Sequence, residues 1–392
     1  NLTNLWNCAI FFVEGRIMIN RFCHLEERLR DNKVLVLYGA RRVGKTTLLE
    51  DFLKHTKLKY KLDSGDNIRI QELFNSQDFS KILEYAQGYE LIAIDEAQQI
   101  QNIGMALKIL VDQIPGIKVI ATGSSSFELS SQIGEPLTGR KNTLVLYPIA
   151  QMELACKYNN YELKEKLEDF LIYGSYPEII TTELKEEKIT LLRELVDSYI
   201  FRDILMLEKI KGSKLLLDLL KLLAFQVGNE VSLNELANKL SIDVKTVKRY
   251  IELLEKSFII CSLSGFSRNL RKEMSQKNKY YFLDNGVRNA IISQFNKVDT
   301  RNDVGQLWEN FLFVERLKRN AYKNFYGNIY FWRTYDQKEI DYIEEYDNQI
   351  YAFEYKWSDK KNIIAPKDWV KNYPKADFKV ITRENYLDFI IP

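Results

Sequence analysis

Eight consecutive residues, Gly39-Ala40-Arg41-Arg42-Val43-Gly44-Lys45-Thr46, follow the pattern G-x-x-x-x-G-K-[ST] and are the part of the chain best suited to bind phosphate. Glycines let such a loop turn tightly and aim backbone N–H groups at phosphate oxygens, while the N-terminus of the next helix adds its dipole. Lys45 would neutralise the outer phosphates, Thr46 would hold Mg²⁺ through its hydroxyl, and Thr47 closes the cradle. Fifty residues after Lys45, Ile94-Asp95-Glu96-Ala97 ends an apolar run. Asp95 there can hold Mg²⁺ through its water shell, and Glu96 can activate an attacking water as general base. Acidic residues also cap helices in such places, but the loop upstream favours the catalytic reading. Ile117 to Thr122 leads into Gly123-Ser124-Ser125-Ser126, so Ser124 is the candidate to touch the γ-phosphate or the water, with simple helix capping as the alternative. Arg140, in Leu137-Thr138-Gly139-Arg140, has two readings: an arginine finger from the same chain or a neighbour, or a solvated surface arginine.

A second constellation lies near the C-terminal end. Phe353-Glu354-Tyr355-Lys356-Trp357 alternates, so Glu354 and Lys356 share one strand face and the aromatic residues the other. Asp341, thirteen residues before Glu354, falls on the preceding strand, where a hairpin partner brings it beside that pair. Glu309, on a helix beginning near Gly305, could add another carboxylate. A third group is basic: Lys245, Lys248 and Arg249 on one predicted helix, and Arg268, Arg271, Lys272, Lys277 and Lys279 shortly after it. Asp243, Glu252 and Glu255 dilute that charge, so phosphate contact competes with a protein-protein role.

These residues need elements to position them. Lys33 to Tyr38, Lys59 to Leu62, Glu90 to Asp95 and Ile117 to Thr122 read as short strands alternating with helices at Thr46 to Lys54, Phe79 to Gln87 and Ile103 to Ile114. That alternation, closed by a strand near Thr143 to Pro148, predicts an α/β fold with a parallel, doubly wound sheet. Gln151 to Gln226 has leucine-rich helical patterns, broken at Gly174-Ser175-Tyr176-Pro177 and Lys211-Gly212-Ser213. Ser232 to Lys239 and Val244 to Lys256, joined by a tight turn and followed by short strands at 258–262 and 279–283, describe a winged helix. From Asp303 the order is helix, three strands, a helix after Pro366, and a last strand. The expected domains are 21–150 (phosphate-binding), 151–226 (helical connector), 227–295 (winged helix) and 303–392 (a C-terminal α/β domain); residues 1–20 receive no role.

Composition sets the limits. The 392 residues are 46% hydrophobic and 28% charged with only 7 prolines, enough for several cores and little low-complexity material. Fifty-six basic against 54 acidic residues leave a net charge of +2, so any surface for nucleic acid must be local. Four cysteines, at 8, 23, 156 and 261, form no C-x-x-C pair, and two histidines leave little room for histidine-rich metal sites; a reducing cytoplasm fits. The apolar run Cys8 to Val13 is too short for a signal peptide or membrane span, and no membrane role is expected.

The loop GARRVGKTTLL, the box IDEAQ, the segment TGSSS, LTGR before a strand ending in Pro148, YGSYPE at 173–178 and Tyr199-Ile200-Phe201-Arg202-Asp203-Ile204 together resemble the prokaryotic AAA-superfamily ATPases whose P-loop domain precedes a winged helix and a restriction-endonuclease-like domain. The resemblance runs over almost everything after residue 20. It implies ATP and Mg²⁺ as cofactors, with Gly39 to Thr47 and Asp95 binding the nucleotide and Lys45, Glu96, Ser124 and Arg140 serving hydrolysis. Arg202 either reaches the nucleotide or pairs with a nearby acid. The C-terminal order of elements with D…E-x-K resembles the PD-(D/E)XK nuclease core, in which the acids, here Glu309, Asp341 and Glu354, bind metal and the lysine, here Lys356, orients water. Ile340 stands where that signature has proline. An inactive relic, or a plain ion pair at Glu354, is the alternative.

The expectation is a Mg-dependent ATPase that couples nucleotide state to DNA binding through the winged helix and C-terminal domain, with DNA cleavage open, and able to form a homo-oligomer. The rival is a nucleotide-dependent switch or scaffold for protein partners with a silent tail. A small-molecule kinase is disfavoured because no lid or acceptor pocket is visible.

Overall fold

The computed structural model describes residues 12–13, 16–17, 19–124, 136–197, 213–267, 277–334, 336–358 and 363–391. The chain divides into two compact units. One comprises Arg21–Pro148 with Lys256–Phe258; the other takes in Ile149–Glu255 and the residues from Ile259 onward.

In the first unit, five parallel strands alternate with helices. β1 (Lys33–Tyr38), β2 (Tyr60–Ser64), β3 (Leu91–Asp95), β4 (Lys118–Gly123) and β5 (Lys141–Val145) are ordered β2-β3-β4-β1-β5. The three inner strands are apolar almost throughout because helices cover both faces of a parallel sheet. β2 is an edge strand, which is why YKLDS stays half-exposed. α1 (Lys45–His55) follows β1 through the phosphate loop, α2 (Ile68–Asn75) and α3 (Phe79–Ala86) link β2 to β3, and α4 (Ile103–Gln113) links β3 to β4. Seven of the eleven residues of α4 are buried, which makes it the spine of one face. α2 has no counterpart in the sequence reading.

Helices dominate the first part of the second unit: Leu167–Tyr173, Pro177–Thr181, Lys185–Leu195 and Ser213–Phe225. α5 (Leu233–Leu240) and α6 (Val244–Lys256) follow, joined by a turn in which Ser241 is left-handed. β6 (Glu230–Val231), β7 (Ile260–Leu263) and β8 (Asn278–Phe282) make an antiparallel sheet ordered β6-β8-β7. α7 (Val304–Tyr322) then leads to a mixed sheet of β9 (Asn328–Arg333), β10 (Glu339–Tyr346), β11 (Gln349–Tyr355) and β12 (Asp377–Ile381), in that order. The first two contacts are antiparallel and the last is parallel. Connector, helix pair and C-terminal sheet thus share one unit, although the sequence reads as separate segments.

The YGSYPE segment has a structural task in that unit. Gly174 has φ +73° and ψ −157°, a region open in practice only to glycine. A Cβ there would stand 2.0 Å from the Asp284 carboxylate. Asp284 in turn accepts from Ser175 N at 2.7 Å, and Lys318 donates to Ser175 Oγ at 3.0 Å. The turn is therefore welded to two later elements by buried polar contacts.

Candidate functional site

Three strand ends build the nucleotide site. The C-terminal ends of β1, β3 and β4 deliver the loop, the Asp95-Glu96 pair and Ser124 to one edge of the sheet, where a parallel sheet characteristically binds its ligand. Gly39 has φ +154°, and a Cβ on it would meet Leu146 O at 2.2 Å, so no other residue fits that turn. Lys45 is buried, and its ammonium donates to Gly39 O at 2.9 Å and Ala40 O at 2.8 Å. Burial lowers its pKa to about 8, with the charges of Glu96 and Asp95 working the other way. An anionic phosphate would supply the countercharge that this lysine otherwise draws from carbonyls.

Thr46 Oγ1 donates to Asp95 Oδ2 at 2.8 Å. The two hard oxygen donors expected to share Mg²⁺ therefore lie side by side, though β3 is not a neighbour of β1 in the sheet. Thr122, at the end of β4, ties the pair in place: its hydroxyl donates to Asp95 Oδ1 and accepts from Glu96 N at 3.1 Å. Glu96 itself is left-handed at φ +48°. Its carboxylate accepts from Gln98 Nε2, and the same nitrogen reaches Ser124 Oγ at 3.2 Å. Neither Thr122 nor Gln98 stands out in the sequence as a site residue. Gln98 is visible in hindsight as the last letter of IDEAQ, whereas Thr122 reads as an ordinary strand residue.

Two expectations are corrected. Arg140 lies at the wrong end of the sheet for a finger in its own domain: its carbonyl accepts from Val34 N at 2.8 Å, at the start of β1, while the loop follows Tyr38 at the end. Four residue steps along the strand, from Val34 to Tyr38, separate them by about 13 Å. Its guanidinium is held by Asp112 at 2.5 Å, which is the surface reading. Lys279, expected to touch phosphates from a wing, is instead only 1% exposed on β8. Lys245, Lys248 and Arg249 are exposed on α6, and Lys277, just before β8, is exposed too. Ser125, Ser126, Arg202, Arg268, Arg271 and Lys272 lie outside the described residues.

The C-terminal carboxylates do come together. Tyr342 of β10 pairs with Phe353 of β11, so continuing the antiparallel register by one residue sets Asp341 opposite Glu354 on one face. Asp341 Oδ2 accepts from Tyr355 N at 2.7 Å, and Lys356 donates to Glu354 Oε1 at 2.5 Å. Glu309, from α7, accepts from Tyr281 Oη at 2.8 Å and from Lys279 Nζ at 2.9 Å. Lys279 also pairs with Glu339. Burial raises Glu309 to about 7, opposed by Lys279, and raises Glu354 to about 7 with Asp341 adding to it. The donor set is hard oxygen, the right chemistry for Mg²⁺. Yet among the described residues no group of three or more Asp, Glu, His or Cys side chains is arranged to hold a metal ion. The expected metal centre of Glu309, Asp341 and Glu354 is not formed here; an ammonium stands among the acids.

Comparison with known proteins agrees with the first unit. Residues 31–155 match the family model described as an AAA domain. Loop, sheet and match together support an AAA-like, ATP-binding P-loop domain over residues 31–155. Residues 164–298 and 304–388 match two models each described as a domain of unknown function, DUF8612 and DUF4143. An uncharacterized protein of Methanocaldococcus jannaschii is 27% identical over 349 residues, 83% of this chain and 75% of its own. One of Haemophilus influenzae is 26% identical over 366 residues, 86% of each. Among solved structures, the Signal Transduction ATPase with Numerous Domains (STAND) protein with a tetratricopeptide repeat sensor from Pyrococcus horikoshii aligns at 15% identity and a TM-score of 0.28, over 75% of this chain. The chain covers about half of that protein, 48% of its length. No helix among the described residues is long and apolar enough to cross a membrane.

Proposed function

We propose that the protein is a Mg-dependent ATPase whose nucleotide state is coupled to DNA binding by the helix pair α5–α6 and its three-stranded sheet, read as a winged helix. The observation that carries the hydrolytic part is the joint placement of Thr46, Asp95 and Glu96 beside the loop, with Glu96 held by Gln98. Thr46 and Asp95 would hold Mg²⁺, which supplies charge neutralisation on the phosphates when bound. Lys45 offers the outer phosphates a cation drawn from the Gly39 and Ala40 carbonyls. Glu96 takes a proton from water as that water attacks the terminal phosphorus, the bond to the β–γ bridging oxygen breaks and ADP leaves with its electron pair, and Ser124 orients the water or the terminal phosphate. DNA binding is carried by the exposed Lys245, Lys248 and Arg249 on α6. The test is ATP hydrolysis by the full chain in Mg²⁺, with and without duplex DNA. Turnover that disappears in Glu96→Gln supports the reading, and wild-type protein that turns over no ATP under either condition refutes it.

A second reading concerns the C-terminal sheet, whose order and D…E-x-K pattern resemble a nuclease core. The ion pairs of Lys279 with Glu309 and Glu339 favour a catalytically silent form of that core, serving as a nucleotide-dependent scaffold. Mg²⁺- or Mn²⁺-dependent cleavage of DNA that is lost in Glu354→Ala would overturn it.

A further inference from the structure

Four acids gather around Lys279 and Lys356 in the second unit: Glu309 from α7, Glu339 and Asp341 from β10, and Glu354 from β11. Collecting that much negative charge out of water is costly unless a cation is gathered with it. Lys356 serves one side, through Glu354, but its side chain is 39% exposed and reaches in from the rim. The cation at the centre is Lys279, on a strand of the neighbouring three-stranded sheet. Its side chain is 1% exposed, lies 2.9 Å from Glu309 and pairs with Glu339. Burial opposes its charge, but Glu309, Asp341 and Glu339 outweigh that and hold its pKa above the ordinary lysine value. Tyr281, two residues along β8 on the same face, adds its hydroxyl to Glu309 at 2.8 Å, so β8 is fastened to the cluster at two points. Glu354 Oε2 is buried with no hydrogen-bond partner.

We propose that Lys279 is the built-in cation of this carboxylate cluster and keeps divalent ions out of it, so that the chain closes its own hard-metal site from the adjoining sheet. A divalent ion and an ammonium compete for the same oxygens. Lys279 and Tyr281 both bond Glu309 Oε1, which keeps that oxygen from a metal, and a dication close to a fixed ammonium is repelled. Removing the ammonium leaves Glu309 held by Tyr281 alone and releases Glu339, in a cluster that also contains Asp341 and the unpartnered Glu354 oxygen. This deepens the silent-core reading and rests on it.

The test is Mn²⁺ binding to the full chain without nucleotide, by equilibrium dialysis with electron paramagnetic resonance of free Mn²⁺, on wild type, Lys279→Met, Glu354→Gln and the double variant. Wild type and Glu354→Gln should bind alike, because the cluster takes no ion in either. Lys279→Met should gain one equivalent of Mn²⁺, about tenfold or more tighter than any binding the cluster shows in wild type, and the double variant should lose that gain. Wild-type binding of an ion that Glu354→Gln abolishes overturns the proposal without any need for the lysine variant. A Lys279→Met protein that melts cooperatively yet gains no site also overturns it, while leaving the silent-core reading intact. Glu354-dependent DNA cleavage by wild type removes both.

Discussion

Gln98 Nε2 lies 3.2 Å from Ser124 Oγ, and the same nitrogen donates to the Glu96 carboxylate. A buried amide thus connects the end of β4 to the proposed general base, and Glu96 pays for its left-handed backbone with about 1 kcal/mol of strain that this bond helps to hold. Removing the amide should free the carboxylate without touching the phosphate loop. Gln98→Ala should lower kcat about tenfold or more while KM for ATP stays within about twofold. Steady-state kinetics decide it, and an unchanged kcat would mean that the backbone alone positions Glu96.

Lys45 and Glu96 should fail differently. Lys45→Ala removes a charge-assisted phosphate contact, so ATP affinity should fall about tenfold to hundredfold. Glu96→Gln keeps shape and binding but cannot take a proton, so the variant should hold ATP and stall. Calorimetry with ATP and Mg²⁺, paired with a turnover assay, separates the two; equal ATPase rates in wild type and Glu96→Gln would remove Glu96 as base.

If α6 meets DNA phosphates, replacing Lys245, Lys248 and Arg249 together by Ala should weaken binding and reduce the steepness of its salt dependence by up to about three counterions. Fluorescence anisotropy across a salt series reads both quantities. Unchanged affinity in the triple variant would move the contact elsewhere.

Gly174 should tolerate no side chain. Gly174→Ala forces a Cβ against the Asp284 carboxylate and a glycine-only backbone conformation, which should cost about 3 kcal/mol of unfolding free energy. Chemical denaturation measures it, and a loss below about 1 kcal/mol would show that the turn simply moves aside.

Asp284 also predicts a pH dependence. Burial raises its pKa, outweighing the bonds from Ser175 and Val287 and the charge of Lys318. The folded chain therefore keeps a proton that the unfolded chain has already released. Its contribution to stability falls as pH rises from the ordinary aspartate value toward the folded one, and is level beyond it. Stability curves for wild type and Asp284→Asn should differ in slope across that window; parallel curves would contradict the assignment.

The nucleotide site was legible in the chain because its parts are local. A G-x-x-x-x-G-K-T run between an apolar strand and a helix is fixed by covalent proximity, and Asp95 and Glu96 sit where an apolar strand must end. Strand alternation likewise put Glu354 and Lys356 on one face before any register was known, because side chains alternate with period two. What joins these parts is not local. Thr46 meets Asp95 only because the strand order is β2-β3-β4-β1-β5, and Thr122 becomes their tie only because β4 lies between β3 and β1. The same order sends Arg140 to the far end of the sheet, where a strand's N-terminal end belongs. Lys279 shows the limit most sharply. In the chain it is one basic residue in a basic segment, a natural phosphate contact. Packing of β8 against α7 and β10 turns it inward onto Glu309 and Glu339, since acids gathered in a largely buried place need a cation nearby. Charge and pattern are written in the sequence; which charges meet is decided by which elements pack.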